Sequence, residues 1–311
     1  MANVTISSNY AGELALPFVA PAILAADTLA NGYISVLDNV RYKANLKKVV
    51  GPSIASRTCE FNTPTTGIAL SDVVLTTAQL QINEQICNQD LGQDWAATQM
   101  RGAGAGAPGD YVNFLGQVVA AKVASDVELN IWQGNFDSTG GSSPSNTSFD
   151  GILDAIADAS PSHETLTAGA WTGDADGTTG ILTHLAALVA DAPAAVAGDP
   201  DAKIFISRKS ANLYYQALAA TYNLPFLNDG VVARYAGYDI VAPAGFADDT
   251  ALLGKKDNFY FGTNLLTDMI EARFLDLTGV TGDDVTRIVM LFDCGTAVVD
   301  HDSYSVARRS S

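Results

Sequence analysis

The stretch GAGAPG, residues 104–109, matches the glycine-rich fingerprint G-x-G-x-x-G of dinucleotide-binding enzymes. In those enzymes the glycines follow a β-strand and open a helix, and an acidic residue about 20 positions further on binds the ribose. Here the preceding residues, QDWAATQMR, are helix-like, and Asp126 and Glu128 fall inside the following helix instead of at a strand end. We therefore expect no dinucleotide site and interpret the glycines as a flexible joint.

The other catalytic and metal-binding motifs are incomplete. The pair His163–Glu164 begins a zincin motif, but position 167 is threonine where the second histidine belongs. The DADG stretch at 174–177 departs from a calcium loop because its glycine comes fourth and no Glu stands at position 12. The DHD stretch at 300–302 is typical of an exposed turn. The histidines and cysteines form no recognisable constellation: His163, His184, His301, Cys59, Cys87 and Cys294. We predict no enzymatic activity, no cofactor and no metal.

Charge and composition point to a protein that associates with other protein. The chain of 311 residues has 17 basic and 34 acidic residues, a net charge of −17, which opposes direct recognition of nucleic acid. Only 16% of the residues are charged, against roughly 25% in ordinary soluble domains. This favours a surface that neighbouring subunits cover, with a neutral monomer rich in small residues as the alternative.

No membrane or export segment is expected. The chain has no run of 18 apolar residues, and the stretch 13–30 contains Glu13 and lacks the basic residues that begin a signal peptide. The first basic residue is Arg41. We expect a protein that is made and used in the cytosol.

Residues 1–44 show no sustained helical or strand periodicity. Their apolar residues are interrupted by Pro17 and Pro21, so they cannot form one helix face. We interpret the segment as an arm that packs on a neighbouring molecule, with a short helix around 34–43. The arm residues proposed for assembly are Leu14, Phe18, Ile23 and Leu24.

A basic cluster and two extended runs follow the arm. The runs at 49–61 and 73–87 are separated by a stretch rich in Pro, Gly, Asn and Asp, which predicts a long hairpin. Four basic residues occupy eight positions at the base of this hairpin, where we expect an assembly contact, with a solvated turn as the alternative. They are Arg41, Lys43, Lys47 and Lys48.

A long amphipathic helix is predicted over residues 111–133. Asp110 suits its N-cap and Gly134 its C-terminal end. At a rise of 1.5 Å per residue the helix is roughly 35 Å long. Apolar residues at steps of three and four form the stripe that we expect to pack on the C-terminal strands: Val112, Leu115, Val119, Val123, Val127 and Ile131.

The rest of the chain alternates helices and strands. Helices are predicted at 150–159, 179–192 and 207–222, and strands at 203–207, 238–243 and 258–262, which together indicate an α/β domain over 149–264. Residues 265–311 return to strands. The stretch 123–202 contains 12 acidic residues and no Lys or Arg, so charge is distributed unevenly along the chain.

This order of elements resembles the Hong Kong 97-type major capsid protein of tailed bacteriophages over essentially the whole chain. The segment 59–95 looks like the return of the extended loop in capsid proteins of some Bacteroidetes-infecting phages. The segment 238–277, with its strand ending in Pro, aliphatic-Gly run and FGT-x-L turn, resembles the passage from the axial to the peripheral domain.

The resemblance implies an α+β fold with four parts. These are an N-terminal arm (1–44), an extended loop (45–90), a peripheral domain (91–148 and 265–311) with a spine helix (111–133), and an axial domain (149–264). No Lys lies between Val49 and Arg101, so the loop lacks the nucleophile of the family's covalent cross-link, which is not expected here.

The resemblance also implies a function. The chain is expected to be a structural subunit that assembles into hexamers and pentamers of an icosahedral head. That head encloses double-stranded DNA without sequence-specific binding. Portal, scaffold and decoration proteins are the expected partners, and the virion, assembled in the host cytoplasm, is the expected location. The alternatives are an encapsulin-type nanocompartment shell protein and a secreted Asp-rich binding protein.

Overall fold

The computed structural model describes most of the chain, in a series of segments: residues 7–11, 26–50, 69–87, 108–136, 148–159, 161–167, 169–174, 179–222, 233–264, 271–277, 281–283 and 285–309. These segments contain both helices and strands, so the α+β class is as predicted. The chain divides into two compact units. The first unit comprises Met1–Arg41, Thr77–Asp150 and Phe261–Gly295, and the second comprises Tyr42–Thr76, Gly151–Tyr260 and Thr296–Ser311.

The first sheet has the strand order β1-β12-β13-β11-β2, and β5 also pairs with β13. β13 is antiparallel to both β12 and β5. The strands are β1 (Ser7–Ala11), β2 (Ser35–Leu37), β5 (Ala78–Cys87), β11 (Phe259–Thr263), β12 (Glu271–Asp276) and β13 (Val285–Val298).

β13 shows why this sheet has one buried face. Successive side chains of a strand point to opposite faces. On β13 the alternate residues Thr286, Ile288, Met290, Phe292 and Cys294 are all buried, and the residues between Thr286 and Phe292 are half-buried or exposed. The hydrophobic pattern therefore fixes which face of the strand enters the core.

Among the described residues of the first unit are the helices α1 (Asp27–Ala30) and α2 (Pro108–Gln133). α2 is the predicted long helix, but it begins at Pro108 instead of residue 111. Proline suits the first turn because the missing N–H would have no helical partner there. At its end the N–H of Gly134 donates to the carbonyl of Asn130 at 3.0 Å, so the predicted end of the helix agrees with the structure.

The short helix predicted around 34–43 is wrong. That stretch contains β2 and the first residue of β3 (Lys43–Val50). β2 pairs with β11, and the N–H of Val40 donates to the carbonyl of Thr263 at 3.0 Å. Pairing with residues more than 200 positions away outweighs the local preference of so short a segment.

The predicted hairpin is present, with a different first strand. β3 pairs antiparallel with β4 (Ala69–Thr76), from Lys43 opposite Thr76 to Val50 opposite Ala69. The first strand thus begins at residue 43, inside the segment predicted as the arm, and residues 51–68 lie outside the described part. After Thr77 the chain continues as β5 and changes its pairing partner.

The second unit contains a six-stranded sheet with the order β6-β14-β10-β7-β9-β8. The pairs β6–β14 and β7–β9 are parallel. The strands are β6 (Glu164–Thr167), β7 (Ala202–Ile206), β8 (Arg234–Tyr235), β9 (Tyr238–Val241), β10 (Thr250–Lys255) and β14 (Tyr304–Arg309). Gly254 is required in β10, because a Cβ there would lie 2.7 Å from the ring of Phe259.

The described segments of this unit contain the three helices that the sequence predicts. They are α3 (Ile152–Ala159), α4 (Ile181–Ala190) and α5 (Arg208–Tyr222). α4 and α5 bury apolar residues against the sheet, among them Leu185, Leu188, Ile204, Ala217 and Leu253.

The C-terminal strand lies with this second unit. β14 pairs with β10 and β6, whereas the sequence places residues 265–311 together in the peripheral domain. The reason is packing, since Tyr304, Val306 and Ala307 are buried in β14. The boundary between the two units thus falls inside β13, after Gly295.

Candidate assembly surfaces

The apolar arm residues Leu14, Phe18, Ile23 and Leu24 lie outside the described part of the chain. The segments on either side of them pack within the subunit. β1 pairs with β12, with Ser7 opposite Leu275 and Ala11 opposite Glu271. Ala26, Thr28 and Leu29 are buried in the first unit. Both flanks of the apolar arm residues thus have partners in the same chain. The packing of Leu14, Phe18, Ile23 and Leu24 on a neighbouring molecule stays a prediction.

A buried polar cluster holds α1 against α2. Glu128 Oε2 accepts a hydrogen bond from the backbone N–H of Thr28 at 2.8 Å, and Glu128 Oε1 accepts one from Thr28 Oγ1 at 2.6 Å. The Trp132 indole donates to Thr28 Oγ1 at 2.7 Å. The side chains are almost fully enclosed, with exposed fractions of 0% for Thr28, 3% for Glu128 and 0% for Trp132. Sequence reasoning missed this cluster.

Three residues of the basic cluster lie on β3, Arg41 precedes that strand, and the cluster splits into two groups. Arg41, Lys43 and Lys47 are exposed, whereas Lys48 forms an ion pair with Asp300 and has its Nζ 3.9 Å from Asp302 Oδ2. The alternation of β3 explains the split, because residues 47 and 48 point to opposite faces. Lys43 and Lys47 thus share one face of β3, whereas Lys48 lies on the other face.

Asp300 is the anionic partner at the base of the hairpin. Partial burial raises the pKa of its carboxyl, but hydrogen bonds from Lys48, Ser303 and the backbone N–H of Asp302 outweigh that effect, so the pKa lies below its ordinary value. Ser303 Oγ donates to Asp300 Oδ2 at 2.6 Å, and the N–H of Asp302 donates to Oδ1 at 3.0 Å. The DHD stretch is therefore a turn that binds a lysine.

The two faces of the β3–β4 hairpin differ in chemistry. One face carries Leu75, which is fully buried, and Lys48. The other face leaves two aliphatic side chains in solvent, Leu70 with 67% and Val74 with 46% exposed. We name this second set the outer hairpin face, and its members are Lys43, Asn45, Lys47, Leu70, Asp72, Val74 and Thr76.

The outer hairpin face combines exposed aliphatic groups with two cations. Val74 lies opposite Asn45 in the register, and Lys47 lies opposite Asp72. Large exposed aliphatic side chains beside charged groups are typical of protein contact sites. A strongly acidic protein offers many carboxylates that these lysines could pair with.

Four residues of the predicted stripe on α2 are buried. The exposed fractions of Val119, Val123, Val127 and Ile131 are 7%, 4%, 3% and 0%. Val112 and Leu115 lie in α2, outside the part whose side chains are described. The buried stripe lines one side of a groove of about 460 Å³, and the other walls include Leu80, Ile82, Phe149 and Phe292.

The three histidines lie in separate environments. His184 stacks on Trp171 with 4.9 Å between ring centroids, and burial lowers its pKa. His163 Nδ1 is 3.5 Å from Asp191 Oδ1, and His301 Nδ1 is 2.9 Å from the hydroxyl of Tyr304. Cys87 and Cys294 are free thiols, and burial raises the pKa of Cys294.

Metal sites and membrane-spanning helices are both absent from the described residues. No group of three or more His, Cys, Asp or Glu side chains there is arranged to hold a metal ion. No helix in the described segments is long and apolar enough to span a membrane.

Comparison with known proteins gives structural matches alone. No protein-family model matches the chain, and no curated protein matches it. A chain of the satellite phage P4 procapsid superposes with a TM-score of 0.59 at 14% identity, covering 92% of this chain and 96% of that one. A chain of the capsid of an empty GTA particle gives 0.56 at 13% identity, covering 92% and 90%. A chain of Mycobacterium phage Bobi gives 0.56 at 11% identity, covering 100% and 93%.

These matches extend over nearly the full length of both superposed chains. The similarity therefore covers the whole fold and is not limited to one sheet. The resemblance to phage capsid proteins that the order of elements indicated is confirmed at the level of the fold. The chain has the fold of phage capsid proteins.

Proposed function

We propose that this chain is the major capsid protein of a tailed phage, a structural subunit that self-assembles into an icosahedral head around double-stranded DNA. The observation that carries the proposal is the fold shared with the P4 procapsid and GTA capsid chains over about nine-tenths of each chain. Neither the nanocompartment shell nor the secreted binding protein is favoured by these neighbours. A structural role without enzymatic activity follows from the same proposal.

The surface chemistry supports assembly from copies of the same chain. Only 16% of the residues are charged, which favours a surface that neighbouring subunits cover. Because the net charge is −17, basic residues on one copy can pair with many acidic residues on another. Closed shells form when the same contacts repeat between identical subunits. The outer hairpin face supplies one half of such a contact, with exposed Leu70 and Val74 beside Lys43 and Lys47.

The parts of the chain receive roles within this proposal. Residues 1–44 are the arm, 45–90 the extended loop, 91–148 and 265–311 the peripheral domain with α2 as its spine helix, and 149–264 the axial domain. The division into hexamers and pentamers, the portal, scaffold and decoration partners, the assembly in the host cytoplasm and the likeness to Bacteroidetes-infecting phages all belong to the proposal.

DNA is the expected content of the shell and not a sequence-specific ligand. A net charge of −17 gives the subunit little general attraction for phosphate, and counterions neutralise packaged DNA without help from the shell. Weak contact with the shell also leaves the genome free to enter and leave.

The proposal is tested by producing the chain alone and together with the proteins encoded beside it. Sedimentation and electron microscopy should show closed particles of uniform size in at least one of these preparations. A chain that stays monomeric in both would contradict the proposal.

A further inference from the structure

α1 is too short to be stable on its own. It comprises four residues, Asp27–Ala30, and the residue before it, Ala26, offers no side-chain cap. A single helical turn in water gains one hydrogen bond for several fixed residues. The stability of this turn must therefore come from contacts with other parts of the chain.

Glu128 and Trp132 on α2 supply these contacts. The carboxylate of Glu128 accepts both the backbone N–H and the hydroxyl of Thr28, so a residue 100 positions away acts as the cap that α1 lacks. The Trp132 indole donates to the same hydroxyl. All three side chains are buried, where hydrogen bonds are stronger and unmatched polar groups cost more than in water.

The cluster lies on the side of α2 opposite to the apolar stripe. At 100° per residue, Glu128 and Trp132 point in roughly the opposite direction to Val119 and Val123. One side of α2 thus lines the groove toward β5, and the other side holds the segment that leads out of the arm.

This position limits where the arm can reach. Leu24, the last of the proposed arm residues, is four residues before Thr28, and Leu14 is 14 residues before it. At 3.3–3.6 Å per residue, an extended chain carries Leu14 at most about 50 Å from Thr28 and Leu24 at most about 14 Å. Ala11 at the other end is paired with Glu271 of β12.

We propose that Thr28, Glu128 and Trp132 form an arm anchor, a set of positioning residues that fixes the arm to α2 at Thr28. The anchor limits how far from α2 the apolar arm residues can reach toward a neighbouring copy of the chain during shell closure. The inference rests on the proposed capsid function, because only an assembling subunit needs its arm aimed. The three residues act through the arm.

The test compares variants of the full chain. Thr28→Val keeps the shape and the backbone N–H but removes the hydroxyl, Thr28→Ser keeps the hydroxyl, and Trp132→Phe removes the indole donor. Thr221→Val is the matched control, because that hydroxyl bonds to the carbonyl of Ala217 at 2.8 Å on the exposed surface of α5. Folding is followed by circular dichroism in urea and assembly by sedimentation at equal concentrations of folded subunit.

We expect the Thr28→Val and Trp132→Phe chains to fold but to form shells about tenfold less efficiently. The reason is that a hydrogen bond of the anchor is lost in every subunit of the shell. Thr28→Ser and Thr221→Val should assemble like the original chain. In urea, Trp132→Phe should cost less stability in the Thr28→Val chain than in the original chain, because the hydrogen bond between the indole and Thr28 is already absent from the Thr28→Val chain.

Normal shell yield from Thr28→Val, or failure of Thr28→Ser to restore the yield, would overturn the anchor. If Thr28→Val does not fold, a normal shell yield from Trp132→Phe would overturn the anchor instead. If the original chain forms no shells, the proposed function is wrong, and the anchor is then tested by the urea experiment alone. Additive effects of the two substitutions would then refute it.

Discussion

Single residues on α2 show two kinds of burial on one helix. Val119, Val123 and Val127 repeat at four-residue steps, so their burial follows from periodicity and was predicted. Glu128 and Trp132 are buried just as deeply, but their partner Thr28 lies about 100 residues away. A carboxylate and an indole four residues apart lie on the same side of a helix, which the sequence shows. No local pattern, however, identifies the hydroxyl that they bind.

A charge placed in the apolar stripe should destabilise the folded chain. Val123→Asp puts a carboxylate where the side chain is 4% exposed, and we expect the free energy of unfolding to fall by about 3 kcal/mol. The neighbouring Lys122, which is exposed and pairs with Asp126 at 2.7 Å, is the control, and Lys122→Ala should change stability by less than about 0.5 kcal/mol. Urea unfolding measures both. A Val123→Asp chain as stable as the original would show that the stripe is not core.

The ion pair at the hairpin base should make stability depend on pH. The pKa of Asp300 is lowered in the folded chain, so its contribution is present above the ordinary value of 3.8 and is lost as the pH falls through the folded value. Asp300→Asn should therefore cost about 1 kcal/mol at pH 6 and progressively less below pH 3.8. Urea midpoints across this range measure the difference, with the exposed Asp158→Asn as control. A cost that persists at the lowest pH would exclude the ion pair as its cause.

Whole elements were predictable where one periodicity runs long enough. α2, α4 and α5 appear close to their predicted ranges because apolar residues recur every three or four positions. β3 shows the limit of this approach. Its residues Lys43, Ala44, Asn45, Leu46 and Lys47 alternate between faces, but the density of lysines favoured the interpretation as a basic cluster. β1 and α1 have no such pattern and exist through long-range contacts.

The outer hairpin face should matter for assembly and not for folding. Replacing Leu70 and Val74 together by serine removes exposed aliphatic surface, so the stability of the subunit should stay within about 1 kcal/mol of the original. The shell yield should fall about tenfold or more, because apolar contact area is lost at every copy of the interface.

The control for this double variant is Leu166→Ser, which removes an exposed leucine of β6. Sedimentation of equal amounts of folded protein measures the yields. If the double variant assembles as well as Leu166→Ser, the outer hairpin face is not a contact between subunits.

At the scale of the whole molecule, the order of elements carries more information than any motif. The glycine-rich stretch, the histidines and the acidic stretches each suggested a chemistry that their surroundings do not complete. The order of arm, hairpin, long helix, α/β domain and returning strands indicated the capsid fold, and chains of phage and GTA particles share it at 11–14% identity. The assignment of residues 296–311 to the second unit could not be read from the sequence, because that boundary falls inside β13.

Copies of this chain should close into a shell, and cryo-electron microscopy of the assembled particles is the decisive measurement. We expect icosahedral particles whose subunits have the fold described for the single chain. In these particles Leu70 and Val74 should lie against a second copy. Closed particles with both side chains in solvent would contradict the proposed contact, and the absence of closed particles in every preparation would contradict the capsid function itself.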